Sequence, residues 1–484
     1  MSQLAHRIHQ AKEAQAYWGG QNLPQRTAVL RRVRSAVLKR ADEIADLLHE
    51  EIGKPRFEGY AMEVLCLLES LHSLEQNAGQ WLSPQNIPLR LAKHRRSSLS
   101  YSPRGVIALI TPWNFPFAIA GSEIAAALVA GNAVIWKPSE WAPRSAQLLL
   151  DLFAEAKLPT GLLQVYGGGP DAGAELVEAD IDYLAFTGST QAGRAIARRC
   201  GERLLPHRVE LGGKASALIL ADAPAKRCAA ALVWGAFANA GQICAGVQRA
   251  YIVRSHYDEM VRAILHEAGK LNRMNTPDRE AEVGPSRLPA QSTRVRALVE
   301  DALTMGAQIS FGSIPSQDTT QISPLILQDV PAAAAIAKEE CFAPVIALVP
   351  VESVNEGVAL INGLDFGLMS SVFSRDLSFA REVAQRIRSG TVMINDVVWS
   401  YGMPETPWIG LRESGLGFSH GEMGLQSYCE MRHINEPKGK WLQREPFWFP
   451  YTAKRLSALK RGIRVLYSGY RIRDLKSVLS REKS

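Results

Sequence analysis

Cys244, in the run Gly241-Gln242-Ile243-Cys244, and Glu210, thirty-four residues upstream in Glu210-Leu211-Gly212-Gly213-Lys214, offer a soft nucleophile and a carboxylate able to activate water. A thiol adds readily to an electrophilic carbonyl, and a carboxylate serves as general base when such an adduct is hydrolysed. A lone cysteine is more often a small buried hydrophobe, so the chemistry rests on its company. Asn114 follows Trp113 in a turn flanked by Pro112 and Pro116. A neutral amide donor is what an oxyanion requires beside a nucleophile's own backbone N–H; the alternative is a turn residue satisfying its own backbone. Gly188-Ser189-Thr190-Gln191-Ala192-Gly193 begins where a strand gives way to a helix. There glycine permits close backbone approach, and a helix N-terminus favours a pyrophosphate.

These groups need elements to hold them. Residues 16 to 77 read as helical, with Val29, Val33, Val37 and Leu38 marking an apolar face. Ile87 to Leu91 and Ser98 to Ser102 read as a two-stranded hairpin around Lys93-His94-Arg95-Arg96. Short apolar runs then alternate with helix-length segments: Val106 to Ile110, Ala133 to Trp136, Leu163 to Tyr166, Tyr183 to Phe186 and Arg208 to Leu211. That rhythm predicts a doubly wound parallel α/β sheet, whose ligands sit at the carboxyl ends of the strands. Asn114, Lys137, Gly188 and Glu210 all fall at such ends. A second alternation from Ser216 to about Asn395 predicts another α/β domain, opening on the helix Ala225 to Asn239 and the loop of Cys244.

Pro112-Trp113-Asn114-Phe115-Pro116, Lys137-Pro138-Ser139-Glu140, Phe186-Thr187-Gly188-Ser189-Thr190, the glutamate and cysteine motifs, and Glu339-Glu340-Cys341-Phe342 follow one another in order. Together they resemble the aldehyde dehydrogenase superfamily, from about Ala16 to about Ile434. The resemblance implies a cofactor domain of residues 1–84 and 104–212, an oligomerisation hairpin 85–103 and a catalytic domain 213–410. Residues 411–440 would return to the cofactor domain and add an oligomerisation strand, leaving 441–484 as a tail. It implies an NAD cofactor, with NADP as the alternative, and a homodimer or homotetramer. The cofactor contacts so implied are Ile110, Thr111, Pro112, Trp113, Lys137, Ser139, Glu140, Gly188, Ser189, Gly193, Leu211, Glu340 and Phe342. In the resembled family the lysine and glutamate at Lys137 and Glu140 hold the adenosine ribose, and those at Glu340 and Phe342 position the nicotinamide ribose and ring. Asn114 and the Cys244 amide would form the oxyanion hole. Ala343 stands where the family commonly has glycine, and Phe366 where it has tyrosine. A branch that passes the acyl group to coenzyme A lacks the glutamate, so Glu210 favours a free carboxylic acid as product. The segment from Asn395 to Pro407 would border the substrate mouth with Val397, Val398, Trp399, Tyr401 and Met403 and no Lys or Arg, which suits an apolar aldehyde, aliphatic or aromatic. Packing in the core is the alternative for these side chains. A catalytically idle member acting through its tail is the competing function, opposed by the intact Cys244, Glu210 and Asn114.

Composition narrows the classes further. The net charge of +7 is misleading as a whole, because residues 441–484 carry +8 and the remainder −1. A nucleic-acid-binding body is therefore not expected, and an anionic partner would meet the tail. Six dispersed cysteines without a CxxC pair suit a reducing compartment and offer no metal site. With no signal-peptide pattern, a cytoplasmic location is expected. The tail holds Phe447-Trp448-Phe449-Pro450-Tyr451, similar to the aromatic-proline segment of fatty-aldehyde-type members, then Leu456, Leu459, Ile463, Leu466 and Tyr470 interspersed with Arg455, Lys460, Arg461, Arg464 and Arg471. This pattern suits a basic amphipathic helix at an anionic membrane surface, or one packed on a partner subunit.

Overall fold

A computed structural model of the chain describes residues 2–272, 280–439, 444–445 and 447–467. They form two compact units, Met1–Pro84 with Ser100–Arg432, and Gln85–Leu99 with His433–Ser484.

In the first unit, near-continuous apolar runs make strands buried on both faces, and such strands pair in parallel. Val106–Ile110 lies between Ala133–Lys137 and Tyr183–Thr187, and all three are wholly buried. Leu163–Val165 and His207–Glu210 continue the sheet outward. Gly415–Leu416 then pairs antiparallel with His207–Glu210, making six strands in all. Successive strands therefore leave Val106–Ile110 in opposite directions, which places the topological switch, and the crevice it opens, beside the turn of Asn114. The expected strands fall within a residue of those observed. The second sheet has seven strands in the order Gln308–Phe311, Leu325–Gln328, Val345–Val351, Val247–Val253, Ala215–Ile219, Met369–Phe373 and Thr391–Ile394, with only the first pair antiparallel.

The helical start of the chain is Gln3–Gly19, Leu23–Lys39, Ala41–Ile52 and Leu65–Trp81. Asn22 and Gln25 form a capping box before Leu23–Lys39, and Gly53, at φ +72°, closes Ala41–Ile52 in the left-handed conformation. Leu38 departs from the expected apolar face: it is 59% exposed, whereas Val29, Val33 and Val37 are buried. One residue beyond Val37 is a rotation of about 100°, enough to leave the buried stripe. The hairpin also differs. Its strands are Gln85–Ile87 and Arg95–Pro103, registered Gln85 to Leu99 and Ile87 to Ser97, with Cys429–Pro437 as a third strand. Pro88 lacks an N–H for the ladder, so the first strand stops at Ile87.

In the second unit, Ser97 Oγ accepts from Asn435 Nδ2 at 2.6 Å, and Glu445 reaches both Arg95 and His94, at 3.0 and 3.1 Å. The helix Ala453–Tyr467 buries no residue; Leu456, Leu459, Ile463 and Leu466 are all exposed. Tyr470 and Arg471, which extend the expected stripe, lie outside the described residues. Among those described, no helix is long and apolar enough to cross a membrane.

The contrast between Val37 and Leu38 is testable by urea unfolding. Val37→Ala is expected to cost about 2 kcal/mol through lost burial and the cavity left behind, and Leu38→Ala less than about 0.5 kcal/mol. Equal shifts of the unfolding midpoint would contradict this helix face.

Candidate active site

Glu210 ends the strand His207–Glu210 with its side chain buried. Trp408 Nε1 donates to Glu210 Oε1 at 2.6 Å, and Ser419 Oγ lies 3.5 Å from Oε2. Both donors arrive with the returning chain, which Gly415 and Leu416 fasten to Glu210 and Val209. Burial pushes the Glu210 carboxyl up to about 7; Arg208 opposes the shift, Glu123 adds to it, and the two hydrogen bonds oppose it. Arg208 precedes Glu210 by two residues on the same strand, and its Nη2 meets Glu123 at 2.8 Å in an ion pair almost wholly buried. Tyr428 donates to the same carboxylate at 2.5 Å. Burial works against the charge of Glu123, yet Arg208 and Tyr428 hold its carboxyl below the ordinary range.

Cys244 is partly exposed, in the loop between the turn Ala238–Gly241 and the strand Val247–Val253. That turn is tightly wound: Asn239, Ala240 and Gly241 all have φ between +49° and +69°. A Cβ on Gly241 would lie 2.1 Å from the carbonyl oxygen of Ala343, so only glycine fits. Burial raises the Cys244 thiol well above its ordinary range, and the negative charges of Glu210 and Glu340 raise it further. Asn114 is buried, and its Nδ2 donates to the carbonyl of Gln242 at 2.8 Å, using one of two amide protons. The turn after the central strand is thereby tied to the cysteine loop.

A narrow cavity opens at Cys244. Its walls are apolar or aromatic, including Met62, Phe115, Ile119, Ile243, Trp399, Tyr401 and Trp408, and among the described residues no charged side chain lines it. Val398, Trp399 and Tyr401 thus stand where the sequence placed them. Val397 does not: it is fully buried in the core, against Gly235. Met403 is 39% exposed and outside the lining. Tyr401 packs edge-on to Trp408 at 5.3 Å and lies 4.4 Å from the His420 ring. Burial lowers His420 to about 4, so its imidazole is neutral at pH 7.

The candidate cofactor residues gather at strand ends. Ile110 ends the central strand, and Thr111 Oγ1 accepts from Trp136 Nε1 at 2.9 Å. After Pro112, Trp113 meets Phe342 edge-on at 6.2 Å, with Phe342 at φ +47°. Lys137 pairs with Glu140 at 3.0 Å, and Ser139 is buried beside them. Gly188 leads into Ser189, whose Oγ caps the helix Thr190–Glu202. Gly193 lies against Leu211, where a Cβ would come within 2.1 Å of Leu211 Cδ2. Glu340 accepts from Gly213 N–H at 3.0 Å. Thr190 Oγ1, at the helix start, is buried without a partner. A close-packed helix N-terminus with an orphaned hydroxyl fits a pyrophosphate. No cluster of metal-ligating side chains occurs among the described residues. Trp408 and the wall formed by Met62, Cys66 and Ile119 are absent from the sequence expectations, since nothing local marks them.

The Glu210 environment is checked by difference infrared spectroscopy against Glu210→Gln. A carboxylic-acid carbonyl band should titrate near pH 7. Trp408→Phe removes a donor to the charged form and should move that midpoint up by about one to two units, given about 1.5–3 kcal/mol for a hydrogen bond to a charged group. A downward shift would contradict the geometry.

The aldehyde dehydrogenase family model matches residues 1–434. A 4,4'-diapolycopene aldehyde oxidase of a Methylomonas species is 33% identical over 473 residues, covering 96% of this chain and 87% of its own. A Mycobacterium ulcerans protein, provisionally named a succinate-semialdehyde dehydrogenase using NADP(+), is 31% identical over 428 residues, covering 88% of this chain and 82% of its own. The crystal structure of a Mycobacterium tuberculosis aldehyde dehydrogenase complexed with NAD+ superposes with a TM-score of 0.84 at 31% identity, covering 90% of each chain. With its motifs at the strand ends of this fold and its whole catalytic body matched, the chain belongs to the aldehyde dehydrogenase family.

Proposed function

We propose that Cys244, Asn114 and Glu210 carry out the NAD(P)-dependent oxidation of an apolar aldehyde to its carboxylic acid. The observation that carries this reading is a buried carboxylate of near-neutral acidity beside a thiol at the end of an uncharged cavity. Cys244 gives up its thiol proton, by way of the Glu210 carboxylate, to solvent, and its sulfur bonds to the aldehyde carbon. The Asn114 amide and the Cys244 backbone N–H stabilise the resulting alkoxide. A bound nicotinamide supplies the hydride acceptor that leaves a thioester on Cys244. Glu210 then takes a proton from water, hydroxide adds to the thioester carbon, and the Cys244 thiolate departs as the acid forms.

Residues 1–84 with 104–212 serve as the cofactor domain and 213–410 as the catalytic domain. Lys137 and Glu140 would hold the adenosine ribose, Gly188, Ser189 and Gly193 the pyrophosphate, and Glu340 and Phe342 the nicotinamide end. Ile110, Thr111, Pro112, Trp113, Ser139 and Leu211 complete the surround. The Glu140 carboxylate disfavours a 2′-phosphate, so NAD is preferred to NADP. As for substrate, the Methylomonas relative is named for a diapolycopene aldehyde and the mycobacterial one for succinate semialdehyde. A second carboxylate would want a cation, and none lines the cavity. Subunits pair through the strands of 85–103 and 411–440 into a homodimer or homotetramer. The exposed apolar stripe Leu456, Leu459, Ile463 and Leu466, on a strongly basic tail, supports peripheral contact with an anionic membrane.

Turnover is tested by NADH absorbance with a panel of aldehydes. A long-chain aldehyde should exceed succinate semialdehyde in kcat/KM on the order of 100-fold, because an unpaired carboxylate is costly to bury. Cys244→Ala should abolish turnover while keeping NAD binding, and Glu210→Gln should give one burst of NADH and a trapped acyl adduct by mass spectrometry. Preference for succinate semialdehyde would overturn the substrate class, and wild-type turnover by Cys244→Ala the mechanism.

The tail is tested separately. Truncation after Pro437 should abolish sedimentation with phosphatidylserine vesicles and leave turnover of short aldehydes intact. Vesicle binding by the full chain should weaken with salt, since exposed charges are screened over about 10 Å at 0.1 M. Unchanged vesicle binding after truncation refutes membrane contact, and dissociation of the oligomer assigns the tail to subunit packing.

A further inference from the structure

The segment that follows Gly53 carries three buried ionisable side chains with no place in the scheme above: Lys54, Glu58 and Glu63. Lys54 Nζ lies 2.5 Å from Glu63 Oε1, 2.9 Å from the backbone carbonyl of Asn114 and 4.1 Å from the Phe115 ring centroid. The other Glu63 oxygen accepts from the N–H groups of Phe117 and Ala118, at 3.1 and 2.8 Å. The turn that bears Asn114 is therefore gripped at its carbonyl by Lys54 and at its trailing N–H groups by Glu63. Glu58 reaches the other partner, accepting from Asn239 N–H at 2.9 Å. Asn239, held at φ +49°, donates from Nδ2 to that same Asn114 carbonyl at 3.1 Å and to Gln242 O at 3.2 Å.

The local backbone explains how one short segment serves both loops. Arg56–Glu58 passes directly into a π-helical turn, Gly59–Val64. In an α-helix residues five apart diverge around the axis, whereas an i to i+5 turn returns them to one face, so Glu58 and Glu63 project together. Such turns are rare and occur mostly at functional sites. A buried ion pair is a poor source of stability, because well-packed apolar residues of the same volume do as well or better. What charge supplies here is direction: several charge-assisted bonds converge on backbone groups beside Asn114 and Cys244.

We propose that Lys54, Glu58 and Glu63 are positioning residues that hold the Asn114 amide in register with the cysteine loop, so that both oxyanion donors meet the developing alkoxide. The inference rests on Asn114 being such a donor. It assigns a role to the run Gly53-Lys54-Pro55 and the two glutamates that follow, which act through the Asn114 turn and the cysteine loop.

The test is the rate of the NADH burst with a hydrophobic aldehyde, measured by stopped flow on the full chain. Lys54→Met/Glu63→Gln, which removes both charges and keeps an acceptor for the Phe117 and Ala118 N–H groups, should slow the burst on the order of 10- to 100-fold, the scale of a misplacement near 1 Å. NAD affinity, by fluorescence quenching, should stay within about twofold. In an Asn114→Ala background the same two changes should slow the burst by less than about twofold, because the donor they orient is gone. An unchanged burst in the Asn114 protein, or losses that multiply in the Asn114→Ala background, overturns the inference. A wild-type burst from Asn114→Ala alone instead refutes the oxyanion assignment, which separates the two failures. Should Lys54→Met/Glu63→Gln fail to fold, Glu58 decides: Glu58→Ala should slow the burst at least tenfold, and Glu58→Gln, which keeps an acceptor for Asn239 N–H, should recover it to within about threefold. Equal rates in those two variants, slow or fast, also overturn the proposal.

Discussion

The antiparallel pairing of Gly415 with Glu210 is the constraint on which the site depends. A carboxylate at the end of a buried parallel strand faces a choice between solvent, where it would be an ordinary acid, and the interior, where it needs donors. The returning chain resolves this by delivering Trp408 and Ser419 to its two oxygens. The approach is close enough that a Cβ on Gly415, whose φ is +142°, would lie 2.3 Å from the carbonyl of Val209. The same return places the Ser414 carbonyl under Leu211 N–H at 3.0 Å and the Phe418 carbonyl against Arg208 at 3.0 Å. The returning chain thus completes the backbone bonding of the Glu210 loop and supplies two hydrogen bonds that favour its charged form.

Charge in this protein is kept behind the walls of the cavity. Glu210 sits behind Trp408, and Lys54 lies over Phe115, while Trp408 and Phe115 themselves line the cavity. The pair Arg208 and Glu123 is likewise buried, with Tyr428 on its carboxylate. In a low-dielectric surround each such group acts at longer range than it would in water. These groups therefore act on the cavity from just outside its apolar lining.

Much of this was legible in the sequence, and the remainder was hidden for a definable reason. The strands of the first parallel sheet came within a residue because apolar runs bounded by helix-length segments are local signals, and Asn114, Lys137, Gly188 and Glu210 lie at or just after their ends; the hairpin strands did not. Cys244, Glu210 and the turn of Asn114 do converge in the structure. Trp408 was invisible because its partner lies 198 residues away. Met62 and Cys66, which line the cavity, fell within the stretch 16 to 77 that read only as helical. The assignment of Leu38 to the apolar face failed because a run of two hydrophobic residues does not say which one faces inward. Val397 and Val398 repeat that ambiguity: one fills the core and the other lines the cavity.

The two acidities at the site bear on how the proposed nucleophile is formed. Thiolates are usually stabilised by a cation or a helix N-terminus. Cys244 has instead two carboxylates acting against its ionisation, and no cation figures among the influences on its thiol. A resting thiolate is thus disfavoured while Glu210 is charged. Transfer of the thiol proton to Glu210 removes that repulsion in the same event that creates the nucleophile, and a carboxyl poised near 7 is a suitable acceptor. The pair then holds a single negative charge that moves from carboxylate to sulfur. Once sulfur is acylated and neutral, only burial and the charge of Glu123 oppose renewed ionisation of Glu210, so in the proposed reaction its proton would pass to solvent and the carboxylate would become available at the step that requires it. In the reaction proposed for this site, one buried acid would in this way serve both halves in sequence, with the charge on sulfur as the timing signal.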